Sequence, residues 1–372
     1  MRRVFFGILF GVLLSTMPAQ GEIYVHTGFQ MDWWESDAGD KGTQSHIPLE
    51  VGCNIDQFAF RLLTAQVYNR IETDDGETRS IDGLVDTRVN MSYTIVDRLP
   101  VDLLVALDLN LPTGKTRLNA LDAIAISNSD LVTITRMGEG LNINPSISLA
   151  KQWNRLLAAV GVGYIWRGEY DPTDDLRNYD PGNALNLNAD VVYTFDTHWA
   201  GRLFGGYTDF EADQWQDHEY YEPGAAWFTG VSLNYTRARW QVGATVMSIR
   251  RAKEARLDYS GELETEASNS YGDEMRFEIG GGLQLTDRTD FNTTVRYLTV
   301  AANDYDPADF RNVSKETKST LAFELLHRWS ARWESGLRLS FFSLDFENNA
   351  SDWDEENDYR GGTLALWAMA RF

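Results

Sequence analysis

Hydrophobic and polar positions alternate with a period of two along most of this chain, and the last ten residues show it best. Leu364, Leu366, Ala368, Ala370 and Phe372 fall on one face, and Thr363, Ala365, Trp367, Met369 and Arg371 on the other. Residues 101–111, 184–195 and 289–300 behave alike: Leu185, Leu187, Ala189, Val191 and Tyr193, for example, stand against Asn186, Asn188, Asp190 and Thr194. Such alternation predicts strands with one apolar face and one polar face. Helical spacing is scarce, so the expected class is all-β.

A soluble sandwich would alternate too. Three features favour a closed antiparallel transmembrane β-barrel. The apolar face recurs at about ten residues per strand, the length a tilted strand needs to cross a bilayer. Aromatics gather at strand ends. Connections switch between very short and long. Strands are expected at 22–34, 46–54, 58–72, 80–95, 100–111, 139–150, 156–167, 184–195, 199–210, 223–236, 239–253, 272–285, 290–302, 316–329, 332–346 and 359–372, sixteen in all. Fourteen is the alternative, because the second and third carry the weakest pattern. Both ends then lie on the side of the short, periplasmic turns, with eight longer loops outside. Closure follows because the bilayer core offers no water to an unpaired edge. Pro145, on an apolar position of the sixth strand, conflicts with that strand's ladder. Phe58, Tyr93, Phe195, Trp199, Tyr235, Trp240, Phe291, Trp329, Trp333 and Phe372 would form the turn-side girdle. Trp33, Trp166, Tyr207 and Trp227 would form the outer one.

The N-terminus carries an address. Arg2 and Arg3 precede an apolar stretch, Val4 to Leu14, and Ala19-Gln20-Gly21 supplies the small residues of a cleavage site. Residues 1–21 therefore read as a secretory signal peptide, which leaves 22–372 as a single barrel domain. No later apolar run is long enough for a spanning helix. The expected place is the outer membrane of a Gram-negative bacterium. A formal charge of −22 argues against nucleic acid as a partner. A lone cysteine excludes an internal disulfide and any cysteine-cluster zinc site. No cofactor or metal is expected. Outer-membrane lipid, lipopolysaccharide and a small solute are the expected partners, and homo-oligomers are compatible with this.

The inward parity carries both signs of charge. Glu50, Arg61, Asp86, Arg88, Asp102, Asp108, Asn110, Asp190, Arg202, Arg276, Glu278, Arg296, Glu324, Arg338 and Trp367 are the expected pore-lining residues, with Arg328 and Glu334 on the same face. Glu278 with Arg296, and Glu324 with Arg338, are expected ion pairs. Apolar residues such as Leu157, Ile165, Met247, Leu298 and Phe342 share that face. Mixed walls of this kind suit an amphipathic solute. The loop at 113–138 is unusually apolar, with Leu118, Leu121, Ala123, Ile124, Ala125, Ile126, Leu131, Val132 and Ile134. It either folds into the mouth and narrows it, or extends two strands as a hairpin. Asp108 and Asn110, beside it, would line the narrowing. The remaining loops are acidic, notably 168–183, 211–222 and 347–358, and read as solvated rims. Asp304, Asp306 and Asp309 have calcium-loop spacing without its turn glycine.

Catalysis is not expected. Of the five histidines, His218 beside Asp217 is the candidate for a rim protease, and His327 has lipid-facing parity at the wrong end for a phospholipase. Adjacency alone does not position a general base.

The run Leu107-Asp108-Leu109-Asn110-Leu111-Pro112-Thr113-Gly114-Lys115 is similar to a signature of one outer-membrane family. Gly138-Glu139-Gly140, strand 141–150, Trp153, Ala158 to Tyr164 and Tyr193-Thr194-Phe195 extend the likeness over roughly 100–210. The family is the transporter-like group of the phenol meta-degradation pathway, distantly similar to fatty-acid transport barrels. The resemblance implies passive uptake of hydrophobic or aromatic compounds. Here Glu22 leads directly into a strand, so the N-terminal plug of fatty-acid transport barrels is not expected. The combined expectation is a channel for small amphipathic or hydrophobic molecules. The alternative is a structural or surface-binding barrel with acidic loops and no open pore.

Overall fold

The computed structural model describes residues 21–119, 122, 125, 130–258, 260–347 and 358–372. Most of the expected signal segment lies outside these residues. So do Leu121, Ala123, Ile124 and Ile126 of the long loop and the acids at 352–356.

The chain rises and falls as β1 (Glu22–Ser36), β2 (Lys41–Ile55), β3 (Phe58–Glu72), β4 (Thr78–Leu84) and β5 (Thr87–Ile95). It continues through β6 (Asp102–Leu111), β7 (Asn142–Trp153), β8 (Leu156–Arg167), the short β9 (Tyr179–Asp180), β10 (Ala184–Thr194) and β11 (Trp199–Phe210). After the short β12 (Asp213–Trp215) and β13 (His218–Glu222) come β14 (Ala226–Arg237) and β15 (Trp240–Arg251). The short β16 (Ala255–Leu257) and β17 (Leu263–Thr265) precede β18 (Glu274–Thr286), β19 (Thr289–Val300), β20 (Glu316–Arg328), β21 (Trp333–Phe346) and β22 (Tyr359–Arg371). β4 and β5 make one crossing, so the barrel has sixteen antiparallel strands. It closes where β1 pairs with β22, from Tyr24 opposite Arg371 to Ser36 opposite Tyr359.

Tight turns set the register. Ile55 faces Phe58 and Trp153 faces Leu156, so two residues reverse the chain in each case. Asp56 (φ 51°) and Asn154 (φ 52°) take the left-handed conformation that short polar side chains tolerate. Two expectations about connections need correcting. β2 begins at Lys41 rather than 46, and β3 and β4 approach closely. The first two outer connections, 37–40 and 73–77, are therefore short. The seventh strand element runs to Trp153, so its turn lies at Asn154–Arg155. Pro145 keeps its pairing with Leu107 on β6, while the ladder to β8 opens between Ile143 and Ser146. One lost donor is thus placed where no partner asks for it.

The outward face is a lipid surface. Ile279, Val231 and Val295 are 60%, 56% and 52% exposed in mid-strand. An apolar belt of this size around a closed barrel is stable in hydrocarbon and not in water, which places the protein in the outer membrane. On the turn side Trp199, Tyr235 and Trp240 touch in series, with ring centroids 4.8 and 5.0 Å apart. On the loop side Tyr207 faces Trp227 across β11 and β14, and Trp33 meets Phe341 edge-on at 6.4 Å.

Three acidic loops are more ordered than their composition suggests. β9, β12, β13, β16 and β17 form a second sheet above the barrel. Its acids are partly internal. Asp213 is buried, accepts the Gly182 amide at 2.7 Å and takes the Tyr179 hydroxyl. Glu254, also buried, accepts from Tyr221 Oη at 2.8 Å and Arg256 Nε at 2.6 Å. Burial, then hydrogen bonds with Tyr271 and Glu254, push the Tyr221 phenol well above its usual range. Asp213 therefore departs from the solvated-rim expectation.

Candidate functional site

The strand carrying Asp86 is not continuous. Gln66 on β3 faces Leu84, but Leu63 faces Arg88, so Thr64 and Ala65 oppose three residues, Val85 to Thr87. This is a β-bulge, and a bulge of one residue reverses which face alternate side chains occupy. Above it Ile81 points inward. Below it Arg88 and Asn90 do. Asp86, at the bulge itself, is buried and aimed at the root of the long loop.

Both ends of that loop are tied to Asp86. Its Oδ1 accepts the Gly114 amide at 2.7 Å, and its Oδ2 accepts the Glu139 amide and Asn110 Nδ2, each at 2.7 Å. Asn110 Nδ2 also meets the Gly140 carbonyl at 2.8 Å. Thr113 Oγ1 accepts the Thr87 amide at 2.8 Å. A Cβ on Gly114 would lie 1.9 Å from the Met137 carbonyl oxygen, so only glycine lets the two ends of the loop meet. The Leu-Pro-Thr-Gly signature is thus a staple that launches the loop against the barrel wall.

From this root the loop reaches inward-facing side chains on other strands. Gln44 on β2 binds both backbone groups of Ile134, donating to its oxygen at 2.7 Å and accepting its amide at 2.8 Å. Asp32 on β1 accepts the Thr133 amide at 3.0 Å and Thr363 Oγ1 at 2.8 Å. Lys318 on β20 donates to the Asp130 carbonyl. Among the described loop residues, Ala125 and Met137 pack with Val67 and Ile81, and Leu131 and Val132 with Trp34, Ile71 and Leu344. This explains why β3 carries Val67 and Ile71 on its inner face.

Cavities flank the loop. One of about 660 Å³ lies between residues 133–139 and the wall of β2 to β6, with His46, Leu63, Arg88 and Asn110 in its lining. Another of about 650 Å³ lies beyond Asp130 to Thr133. It brings together Arg276, Glu278, Arg296, Lys318 and Arg338 with Met247, Leu298 and Phe342. A third, of about 400 Å³, gathers Arg61, Arg88, Asp108 and Asn110.

The remaining expected residues sort clearly. Arg296 Nε donates to Glu278 at 2.5 Å, and Arg202 Nε to Asp190 at 2.6 Å. Glu324 and Arg338 face each other in register, but Glu324 accepts Asn292 Nδ2 at 3.2 Å instead. Glu50 accepts Tyr24 Oη at 2.8 Å. Trp367 lies edge-on to His26 at 5.1 Å, over Gly336, where a Cβ would come within 2.3 Å of its ring. Asp86 lines the cavity of about 660 Å³ while accepting two backbone amides and Asn110 Nδ2, and Asp102 accepts the Asp97 amide at 3.2 Å in the turn. Sequence reasoning missed Asp32, Gln44 and Lys318. Carrying the alternation of the second strand back to Gly42 would have found Gln44. His218 Nδ1 contacts the Gln216 carbonyl at 2.7 Å rather than Asp217. Asp309 is clasped by Arg311 at 3.0 Å, and Asp306 accepts the Ala308 amide at 2.9 Å.

The loop root has a second tether. Asp171, on the next outer loop, accepts the Asn178 amide at 2.9 Å and Arg117 Nε at 2.7 Å. These two contacts hold its carboxyl below the usual value of 3.8. A depressed carboxylate contributes fully above its unfolded pKa and loses that contribution as pH falls through the folded one. The tether is therefore expected to survive at pH 3.8 and to release only in stronger acid. A ¹³C carboxyl titration checks this, and a midpoint for Asp171 at or above 3.8 contradicts it.

A family model described as "Putative MetA-pathway of phenol degradation" matches residues 41–260, more than half of the chain. No curated protein matches. Solved structures of similar shape include OccK11 (OpdR) of Pseudomonas aeruginosa, with TM-score 0.49, 10% identity, and 95% of this chain and 96% of that one covered. OmpT of Vibrio cholerae, folded in vitro, gives TM-score 0.44 at 10% identity, covering 96% and 99%. OccAB1 of Acinetobacter baumannii gives 0.48 at 10%, covering 95% and 96%.

Proposed function

This chain belongs to the phenol-degradation MetA-pathway family, and from that premise we propose that it is an outer-membrane channel for passive passage of small amphipathic molecules, aromatic ones among them. The observation that carries this reading is the hydrogen bonding of Asp32, Gln44 and Lys318 to the loop backbone at 130–134. A loop held to inward-facing side chains on β2, β1 and β20, strands well away from its root, narrows the lumen that it crosses. The cavities on either side of the loop are bounded by guanidinium groups, carboxylates and apolar side chains together. A solute with a charged end and an apolar body finds partners for both in such walls. Charged groups at a narrowing also set ion preference, because the field of a fixed charge acts strongly where little water screens it. The reading is of transport and not of hydrolysis. Lipid and lipopolysaccharide surround the barrel, and the solute is its mobile partner.

Planar-bilayer recording tests this. The wild type is expected to give discrete current steps. Arg338→Glu, which alters a cavity wall without touching a loop hydrogen bond, is expected to shift the reversal potential toward cation preference. An absence of steps from correctly folded protein would favour a plugged surface barrel and sink the channel reading, whereas steps indifferent to Arg338→Glu would take that cavity wall out of the conducting path.

A further inference from the structure

Below the bulge, four neighbouring strands place polar side chains in two cross-strand rows. In the lower row Arg61 faces Asn90, Asn90 faces Asp108, and Asp108 faces Asn144. In the upper row Leu63 faces Arg88, Arg88 faces Asn110, and Asn110 faces Asn142. Both rows line the cavity of about 400 Å³, with Ile165 of β8 beside them.

Some of these groups are already satisfied by the protein. Asp108 accepts Asn90 Nδ2 at 2.5 Å. Asn110 is spent on Asp86 and Gly140. Glu139, at the upper edge, is paired with Arg136 at 3.1 Å. Four groups are left over. Arg61 and Arg88 are held in no ion pair among the described residues. The Oδ1 atoms of Asn142 and Asn144 are buried without a hydrogen-bond partner. Buried polar atoms normally find partners, so two orphaned acceptors in one cavity point to something that donates to them. Two guanidinium forks without carboxylates point to an anion that accepts in two places, and a carboxylate matches that geometry. The cations stand on β3 and β5 and the acceptors on β7. Arg88 and Asn142 are thus two strand spacings apart, each about 4.8 Å. Leu63 and Ile165 supply apolar flanks.

We propose that this cavity binds a hydroxylated aromatic carboxylate, its carboxylate between Arg61 and Arg88 and its hydroxyl donating its one proton to Oδ1 of either Asn142 or Asn144. The proposal deepens the channel reading by naming a solute class, and it rests on that reading only for the cavity being reached from water.

Titration calorimetry on the full-length refolded barrel in detergent micelles tests it, with 4-hydroxybenzoate, benzoate and phenol as probes. 4-Hydroxybenzoate is expected to bind more tightly than either of the others. Arg61→Gln and Arg88→Gln should each weaken it about ten- to a hundredfold, the range for one charge-assisted contact. The pair Asn142→Ala and Asn144→Ala should bring 4-hydroxybenzoate down to the affinity of benzoate and leave benzoate unchanged. Three results overturn the proposal in protein whose heat-modifiable gel migration shows a closed barrel: no binding of 4-hydroxybenzoate, arginine variants that bind it as the wild type does, or benzoate bound equally well. Because binding in micelles does not require conduction, current steps without binding sink this site alone. Binding without current steps sinks the channel alone.

Discussion

Asp86→Ala is expected to release both ends of the long loop while leaving the barrel closed. The carboxylate accepts from Gly114, Glu139 and Asn110, each at 2.7 Å, and alanine removes all three contacts. A hydrogen bond to a charged group contributes about 1.5–3 kcal/mol, and contacts sharing one carboxylate are not additive, so the loop root should lose roughly 3–6 kcal/mol. The barrel ladder is untouched, because Asp86 sits in a bulge between β4 and β5 rather than within a paired stretch. Amide exchange at Gly114 and Glu139 should then accelerate by orders of magnitude. Single-channel current should rise and become noisy, since a loop free at its root no longer holds its place against Gln44 and Asp32. Asp86→Asn keeps one acceptor oxygen and should fall between. Currents from Asp86→Ala that match the wild type in size and noise would remove the loop from any account of passage.

The second large effect tests which face meets lipid. Val231 and Asn234 lie three residues apart on β14, one outward and one inward. Val231→Lys buries an ammonium near the middle of the hydrocarbon and should cost about 2–4 kcal/mol. Asn234→Lys places the same group in lumen water, where it should change stability by under about 1 kcal/mol. Urea unfolding in phosphatidylcholine vesicles measures both. Equal costs would mean that the alternation does not separate lipid from water.

Much of this molecule is legible along the chain because alternation is a local property. The pleat sends neighbouring side chains to opposite faces whatever the rest of the protein does. That suffices for sixteen crossings, the placing of Trp199, Tyr235 and Trp240 at one interface, and the inward parity of Arg61, Arg88, Asp108 and Asn110. It also gave the Glu278–Arg296 pair, since directly opposed residues on adjacent strands must meet. The opposed pair Glu324 and Arg338 shows the limit: register brings backbones together, but a third side chain, Asn292, decides the hydrogen bond.

What only the tertiary structure decided depends on contacts between distant segments. The bulge at Val85–Asp86 leaves no mark in composition, yet it reverses the face of everything above it and turns Ile81 inward. The course of the loop is set by Gln44 and Asp32, some ninety to a hundred positions from the residues they hold. The acids of the outer loops read as a charged surface, and Asp213 and Glu254 proved internal because separate loops pair into one sheet over them. The period of a strand is written in each strand, whereas a loop's destination depends on which buried donors and acceptors elsewhere in the barrel still lack partners.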